Sequence, residues 1–130
     1  MAQILIADDD ILIRATMQKL LTKAGHVIFE AANGIEAEEV IARTNVDLVI
    51  TDVIMPDKEG LMLVRDLKKR SPQLLIIAMS GGGRVGAFSF LETATQFGAD
   101  AVLRKPFRGG ELIELVNATI AGVPQGPLPP

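Results

Sequence analysis

Short apolar segments alternate with amphipathic ones along the whole chain. The apolar segments are compact runs of strand type, and in chain order they read QILIA, HVIFEA, VDLVIT, LLIIAM and DAVLR. After each of them, apolar residues recur at helical spacing. The fourth run is continuously apolar, which is typical of a strand buried on both faces of a sheet. The pattern therefore predicts five strand–helix repeats.

The helix-like segments carry recognisable ends and one apolar face each. Gly25 follows the first helix as a C-terminal cap, Asn33 opens the second in a capping-box arrangement with Glu36, and Ser71-Pro72 ends the third. The apolar residues at helical spacing, helix by helix, are Ile13, Met17, Leu20, Leu21 and Ala24; Ala37, Val40 and Ile41; Leu63, Val64 and Leu67; Phe90, Leu91, Ala94 and Phe97; and Leu112, Leu115, Val116 and Ile120.

Five such repeats point to an α/β fold in one domain. With right-handed crossovers they form a parallel sheet covered by helices on both faces. The 130 residues of the chain suffice for a single core, and we predict a domain over residues 1–122. The end of the chain is rich in proline and glycine, so residues 123–130 are predicted to form a flexible tail or the start of a linker.

Composition excludes several classes of protein. The chain has no cysteine, which excludes disulfides, thiol nucleophiles and zinc–thiolate sites and is typical of a cytoplasmic protein. Its net charge of −3 argues against direct binding of nucleic acid. The N-terminus lacks the pattern of a signal peptide, and no apolar run approaches the ~20 residues that span a bilayer. We therefore expect a cytoplasmic domain without a membrane or nucleic-acid partner.

Reactive side chains follow four of the five predicted strands. They are Asp8, Asp9 and Asp10 after the first strand, Asp52 after the third, Ser80 after the fourth and Lys105 after the fifth. Ligands of open parallel sheets bind at the carboxyl ends of the strands. Crowded carboxylates suit Mg²⁺, one carboxylate can form an aspartyl phosphate, and a lysine can neutralise the transferred group. The sequence therefore predicts a phosphoryl-transfer site.

Four segments carry a family resemblance as well. In this order and spacing, ILIADDD, LVITDVIMPDKEG, IIAMSGGG and VLRKPF resemble the receiver domain of bacterial two-component response regulators, over residues 3 to 121. The resemblance implies a single-domain receiver in phosphorelay signal transduction. It also implies a flavodoxin-like (βα)5 fold, which is a doubly wound parallel five-stranded sheet of order 2-1-3-4-5 with helices on both faces.

The resemblance implies a role for each matching residue. Asp52 would be the phosphoacceptor, taking a phosphoryl group from a sensor histidine kinase or a histidine phosphotransfer protein. Mg²⁺, for which Mn²⁺ would substitute, would be bound by Asp9, Asp52 and the backbone carbonyl of Ile54, with Asp8 acting through water. The protein would catalyse its own phosphorylation and dephosphorylation without being an enzyme in the ordinary sense.

The remaining motif residues would act on the bound phosphoryl group. Ser80 would donate a hydrogen bond to it, Lys105 would pair with its oxygens, and the peptide bond between Lys105 and Pro106 would be cis, which fixes the direction of the lysine. A downstream protein would bind the face formed by the helix after the fourth strand, the fifth strand and the last helix.

Three features depart from the family pattern, namely Val102, the pair of Ile54 and Gly82, and the glycine-rich turn after Ser80. Many receivers have an aromatic residue three positions before the lysine, where this chain has Val102. We therefore expect switching to rely on the loop after Ser80, which begins Gly81-Gly82-Gly83. Ile54 lies two residues beyond the proposed acceptor and cannot orient an attacking water, so we expect a long-lived phosphoform.

Other charged residues are expected to be structural. Asp10 is predicted to cap the first helix, and Asp57 and Glu59 are interpreted as loop charges. His26 is expected at the surface of the opposite rim. The basic patch of Arg65, Lys68, Lys69 and Arg70 is predicted to complement the dipole of its helix.

Two rival enzyme functions fit parts of the sequence, while a receiver that acts only as a binding module without phosphorylation is disfavoured because every required side chain is present. Asp8-x-Asp10, Ser80 and a later lysine are similar to haloacid-dehalogenase phosphatases, which also form an aspartyl phosphate. Those enzymes need a further acidic pair, for which only Glu111 and Glu114 are available. Gly81-x-Gly83-x-x-Gly86 matches a dinucleotide-binding fingerprint, but the nearest acid, Asp100, begins a strand where it could not reach a ribose.

Overall fold

The computed structural model describes residues 1–53, 60–81 and 94–122. These ranges contain five strands, β1 (Gln3–Ala7), β2 (Val27–Ala31), β3 (Leu48–Asp52), β4 (Leu75–Gly81) and β5 (Ala101–Lys105). They also contain the helices α1 (Ile11–Lys23), α2 (Gly34–Arg43), α3 (Gly60–Arg70) and α4 (Gly109–Ile120), and residues 94–96 are helical. None of the helices in these ranges is long and apolar enough to cross a membrane.

Several predictions fall on residues outside these ranges. They concern Ile54, Asp57, Glu59, Gly82, Gly83, Gly86, Phe90, Leu91 and the tail 123–130.

The five strands form one parallel sheet in the order β2-β1-β3-β4-β5. This confirms the flavodoxin-like topology that the family resemblance implies. The register pairs Ala7 with Thr51 and Gly81 with Lys105, so the carboxyl ends of β1, β3, β4 and β5 lie almost level. Whatever follows these strands is therefore gathered at one edge of the sheet.

The sheet has a core on each face. Because alternate residues of a strand point to opposite faces, β4 sends Ile76 and Ala78 into one core and Ile77 and Met79 into the other. The core on the α2 and α3 face includes Ala37, Leu63, Val64 and Leu67. The core on the α1 and α4 face includes Met17, Leu21, Leu112 and Val116. Burial of β4 on both faces confirms the interpretation of its continuous apolar run.

Two apolar residues of these helix patterns lie at the surface. Ala24 and Ile120 are exposed, Ile120 by 39%. Ala24 is the C-cap of α1, where the chain turns away through Gly25 at a φ of 99°. Thr119 takes the inner place at the end of α4, because it lies seven residues after Leu112 and so nearly in line with it on the helix. Its hydroxyl donates to the Leu115 carbonyl at 2.7 Å.

Helix α2 begins as predicted, with a variation. Asn33 is its N-cap, and the side-chain oxygen accepts a hydrogen bond from the Glu36 amide at 2.9 Å. In the usual capping box the acid returns to the amide of the N-cap residue. Here the Glu36 carboxylate accepts from the Ala32 amide, at 2.8 Å, one residue earlier.

Side chains close the amino-terminal edge of the sheet. Asp47 precedes β3 and accepts from the Gln3 amide at 2.8 Å, while Asp100 precedes β5 and accepts from the Ile76 amide at 2.8 Å. His26 lies at the same edge, where its Nδ1 accepts from the Ala2 amide at 3.1 Å. Asp100 is thus a structural residue at the edge opposite the strand carboxyl ends, which removes the acid that the dinucleotide reading requires.

The basic end of α3 is paired with acids of other elements. Lys68 Nζ lies 2.8 Å from Asp100 Oδ2, and Arg70 Nη2 lies 2.6 Å from Glu38 Oε2. The basic residues of the last turn also face the negative end of the helix dipole, as predicted. The patch therefore ties α3 to its neighbours.

Gly60, the first residue of α3, is packed against the end of β3. A Cβ at this position would lie 1.8 Å from the Asp52 carbonyl oxygen and 2.7 Å from Val53 Cα. Both atoms belong to the backbone and cannot move aside cheaply. We expect Gly60→Ala to lower the free energy of unfolding by at least about 3 kcal/mol, measured by urea denaturation with circular dichroism.

Gly110 provides a matched control for this prediction. It lies in the first turn of α4 with nothing near its Cβ direction, so Gly110→Ala should raise stability by up to about 1 kcal/mol. Equal effects of the two substitutions would contradict the packing argument.

Candidate functional site

Three charged residues continue the rows of side chains that build one face of the sheet. The rows are Ile4-Ile6-Asp8, Leu48-Ile50-Asp52 and Ala101-Leu103-Lys105, and their apolar members belong to the core beneath α1 and α4. Because side chains alternate along a strand, Asp8, Asp52 and Lys105 emerge on the same face at the carboxyl edge. The alternation of buried residues therefore assembles the charged site.

Lys105 joins the two aspartates. Its Nζ lies 2.6 Å from Asp8 Oδ2 and 2.8 Å from Asp52 Oδ2. The Asp8 side chain is fully buried, and the side chains of Asp52 and Lys105 are only 11% and 13% exposed. Charges with so little access to water need close partners, so the ammonium group is what allows the two carboxylates to be buried side by side.

The same contacts determine the titration of the lysine. Burial alone lowers the pKa of Lys105, but its hydrogen bonds and charge interactions with Asp52 and Asp8 outweigh burial and raise the pKa above 10.5. A raised pKa in the folded state stabilises the protein fully below the unfolded-state value. That stabilisation is lost only when the pH rises through the folded-state pKa, so Lys105 is charged at neutral pH.

Asp9 adds a third carboxylate to the site. Ligand oxygens of Asp8, Asp9 and Asp52 all lie within 4.8 Å of one another, and Asp9 is exposed where the other two are buried. With Lys105, the three carboxylates leave two negative charges in excess. A set of hard oxygen donors with an exposed side and this excess suits a divalent cation such as Mg²⁺. Ile54, the fourth predicted ligand, lies outside the described residues.

Asp10 acts as a helix cap and not as part of the carboxylate cluster. Its Oδ1 accepts from the Leu12 amide at 2.9 Å and from the Ile13 amide at 3.3 Å. These bonds satisfy donors of the first turn of α1, which confirms the prediction. The backbone amide of Asp10 donates to Asp8 Oδ1 at 2.9 Å. The turn that caps α1 thus also orients the buried carboxylate.

Ser80 shares the edge but is not bonded to this cluster. It continues the row of Ile76 and Ala78, which belongs to the core on the other face of the sheet. Its hydroxyl is buried and has no hydrogen-bond partner in the structure described here. Burial without a partner costs about 1–3 kcal/mol, so this hydroxyl is suited to an acceptor that a ligand would bring.

Two further features of β5 bear on the predictions. The peptide bond between Lys105 and Pro106 is cis, as the resemblance implies. Val102, at the position where many receivers have an aromatic residue, is half-buried and packs against the core on the α2 and α3 face.

Arg14 is part of the site, although the sequence analysis did not single it out. It lies in the first turns of α1, and its Nη1 donates to the backbone carbonyl of Asp8 at 2.6 Å. Its Nε lies 3.2 Å from Glu30 Oε1 on β2. The signal in the sequence is a positively charged residue one helical turn after the three aspartates. An ordinary exposed helix residue gives the same signal, so the pattern alone does not identify Arg14.

Comparison with known proteins gives one answer. Residues 4–117 match the family model described as the response regulator receiver domain. The chain is 36% identical over 129 residues to the DNA-binding transcriptional regulator NtrC of Azospirillum brasilense, covering 98% of this chain and 26% of that protein. It is 34% identical over 119 residues to the chemotaxis protein CheY of Bacillus subtilis, covering 91% and 97% respectively.

The solved structures agree. A response regulator receiver domain protein from Clostridium thermocellum superposes with a TM-score of 0.86 at 29% identity, covering 94% of this chain and 96% of that one. The chain thus spans about a quarter of the NtrC protein but nearly the whole of its single-domain relatives.

The ion pair of Lys105 gives a prediction for stability. Lys105→Met removes the ammonium group that pairs with both buried carboxylates, so we expect the cation-free protein to lose about 3 kcal/mol of unfolding free energy at neutral pH. Mg²⁺ should restore part of this loss. The measurement is urea denaturation followed by circular dichroism, with and without Mg²⁺. Lys19→Met, the same change at an exposed position of α1, is the control, and an equally small effect of both would contradict the prediction.

The adjacent aspartates give a second prediction. We expect Asp10→Ala to lower the unfolding free energy by about 1 kcal/mol through loss of the cap, with little change in Mn²⁺ affinity. Asp9→Ala should weaken Mn²⁺ binding with little change in the unfolding free energy, because its carboxylate is exposed and faces the other two acids. Denaturation in a chelating buffer and Mn²⁺ binding by electron paramagnetic resonance measure the two effects. Equal losses of Mn²⁺ affinity would contradict this division of roles.

Proposed function

The chain belongs to the response regulator receiver domain family, the phosphoacceptor modules of two-component signalling, and we propose that it accepts its phosphoryl group on Asp52. The observation that carries this proposal is the pairing of Lys105 with both Asp8 and Asp52 at the carboxyl edge of the sheet. A cationic side chain and a carboxylate cluster at one edge meet the requirements of phosphoryl transfer, which depends mainly on positioning and charge neutralisation.

Accessibility favours Asp52 over Asp8 as the acceptor. Asp8 is fully buried, and its two oxygens are engaged by the Asp10 amide and by Lys105. Asp52 keeps an exposed fraction of 11% at the end of β3, where an incoming phosphorus atom can approach it. We therefore assign Asp8 to the cation and Asp52 to the phosphoryl group.

The proposed step forms one bond and breaks one. A carboxylate oxygen of Asp52 attacks the phosphorus of a phosphohistidine on a sensor histidine kinase or histidine phosphotransfer protein. The phosphorus–nitrogen bond breaks, and the imidazole nitrogen keeps the electron pair. Lys105, already 2.8 Å from Asp52, pairs with the phosphoryl oxygens as their charge develops.

A divalent cation would be held by Asp9, Asp52 and the carbonyl of Ile54, with Asp8 acting through water, and would supply further neutralisation of the phosphoryl charge. Receiver domains typically bind Mg²⁺ at such an acidic pocket, and we propose Mg²⁺ for this chain, with Mn²⁺ as a substitute. The clustering of three carboxylates within 4.8 Å supports this proposal.

Ser80 provides the proposed switch. Its buried hydroxyl has no partner in the described structure, so a phosphoryl oxygen on Asp52 would give it an acceptor and draw the end of β4 towards the site. Val102 replaces the aromatic residue of many receivers, and we therefore propose that Ser80 and the loop after it carry the signal. The apolar Ile54 supports a long-lived phosphoform.

The downstream partner is proposed to bind beside β5. An open groove of about 370 Å³ lies between β5 and α4 and is lined by Val102, Leu103, Glu111, Glu114, Leu115 and Ala118. Its lining combines apolar side chains with the carboxylates of Glu111 and Glu114, which suits a protein segment with basic residues. We propose that the domain of residues 1–122 makes these contacts in the cytoplasm.

The rival phosphatase function is not supported. Receiver domains are signalling modules, and the family match extends over residues 4–117. A haloacid-dehalogenase-like enzyme needs an acidic pair at its metal site, whereas Glu111 and Glu114 line the groove beside β5.

Labelling with acetyl phosphate tests the central proposal. We expect wild-type protein incubated with acetyl phosphate and Mg²⁺ to gain one phosphoryl group by intact-mass spectrometry, because the carboxylate of Asp52 can attack this small acyl phosphate as well. Asp52→Asn removes the nucleophile and should abolish the adduct, and chelation of Mg²⁺ should do the same to wild type.

Asp66→Asn is the matched control, since Asp66 lies on α3 and pairs with Arg65 away from the site. It should be labelled like wild type. An unmodified wild type, or an Asp52→Asn variant labelled to the same extent, would refute the assignment of the acceptor.

A further inference from the structure

The peptide unit between Asp8 and Asp9 joins two carboxylates of the site. Strand β1 ends at Ala7, and the Asp8 amide makes one more sheet-like bond, to the Ala31 carbonyl at 3.1 Å. Beyond that point the chain leaves the sheet, and the carbonyl of Asp8 turns to a side chain. Arg14 Nη1 donates to it at 2.6 Å.

The orientation of this peptide unit sets the direction of Asp9. The plane that carries the Asp8 carbonyl also carries the Asp9 amide, because a peptide unit is rigid. The buried Asp8 side chain is already held by Lys105 and by the Asp10 amide. Holding the carbonyl as well therefore fixes where the next residue, the exposed Asp9, presents its carboxylate.

Arg14 is itself anchored for this task. Its side chain is only 14% exposed, and its Nε is 3.2 Å from Glu30 Oε1. Glu30 is 40% exposed, so the ion pair adds little stability of its own. Its effect is to hold the planar guanidinium, which can use separate N–H groups for the two acceptors, and to offset a positive charge close to a cation site.

We propose that Arg14 is a positioning residue for the cation site, acting through the Asp8 carbonyl to hold Asp9 in the geometry that binds Mg²⁺. This inference rests on the proposed function, because it presupposes that Asp8, Asp9 and Asp52 bind a cation. Groups that orient metal ligands from outside typically change metal affinity by about 10–100-fold when they are removed.

The direction in which one substitution changes the cation affinity separates a positioning role from a purely electrostatic one. Arg14→Gln removes a positive charge near the site, so a purely electrostatic role predicts tighter binding of a cation. A positioning role predicts weaker binding, because the freed peptide unit must be ordered each time a cation binds. We expect Arg14→Gln to bind Mn²⁺ about tenfold more weakly than wild type, as measured by electron paramagnetic resonance of free Mn²⁺.

Two variants complete the test. Arg14→Lys keeps the charge but offers a single ammonium in place of the planar group, and we expect an affinity between those of wild type and Arg14→Gln. Arg70→Gln is the matched control, because it removes an arginine of an ion pair on α2 and α3, and it should bind Mn²⁺ like wild type. Urea denaturation in a chelating buffer establishes that each variant is folded before binding is measured.

The outcomes distinguish the two proposals. Unchanged or tighter Mn²⁺ binding by folded Arg14→Gln, with normal binding by wild type, overturns the role of Arg14 and leaves the cation site intact. Wild-type affinity in Arg14→Lys together with tighter binding by Arg14→Gln identifies a role of charge alone and also overturns it. A wild type that binds no Mn²⁺ overturns the cation site itself, and with it the inference.

Discussion

The ammonium group of Lys105 makes the rest of the site possible. Two carboxylates, one of them without any access to water, lie at the ends of neighbouring strands and both contact this group. Without it, burial and mutual repulsion would oppose the fold at the place where β1 and β3 end. Lys105 lies beside the two aspartates because all three residues follow rows of core side chains on the same face of the parallel sheet. The charged site is thus built as an extension of the hydrophobic core.

The charge of the site suggests why the same residues can serve both stability and signalling. Three carboxylates and one ammonium leave an excess of negative charge, which a divalent cation can neutralise. In the proposed function, a phosphoryl group would then add negative charge at Asp52, where Lys105 and the cation would face it. Lys105 would exchange a carboxylate oxygen for a phosphoryl oxygen as its ion-pair partner. The Ser80 hydroxyl would gain the hydrogen-bond acceptor that it lacks in the described structure. Each change exchanges one electrostatic partner for another, so none leaves a buried charge alone.

Much of this arrangement could be predicted because it depends on periodicity and on the ends of strands. The strands, the two-faced burial of β4, the cap at Asp10 and the convergence of Asp8, Asp52 and Lys105 all follow from such patterns. Other features depend on distances that no sequence pattern encodes. Arg14 looks like any polar residue of a helix until its contact with the Asp8 carbonyl is seen, and the requirement for glycine at residue 60 comes from the approach of the Asp52 carbonyl. The exposure of Ala24 and Ile120 could not be predicted from apolar spacing, because each lies where a helix ends.

The three consecutive aspartates lie in one turn but make different contacts and therefore have different roles. Asp8 is drawn inward by Lys105 and by the Asp10 amide, and Asp10 is turned towards the first amides of α1. Asp9, between them, stays exposed. Its neighbours are held by the sheet and by the helix respectively, so the backbone on either side of Asp9 is fixed by contacts of other residues. Arg14 holds one of these units, and on our proposal a helix residue that need not touch the cation would therefore influence how a cation binds.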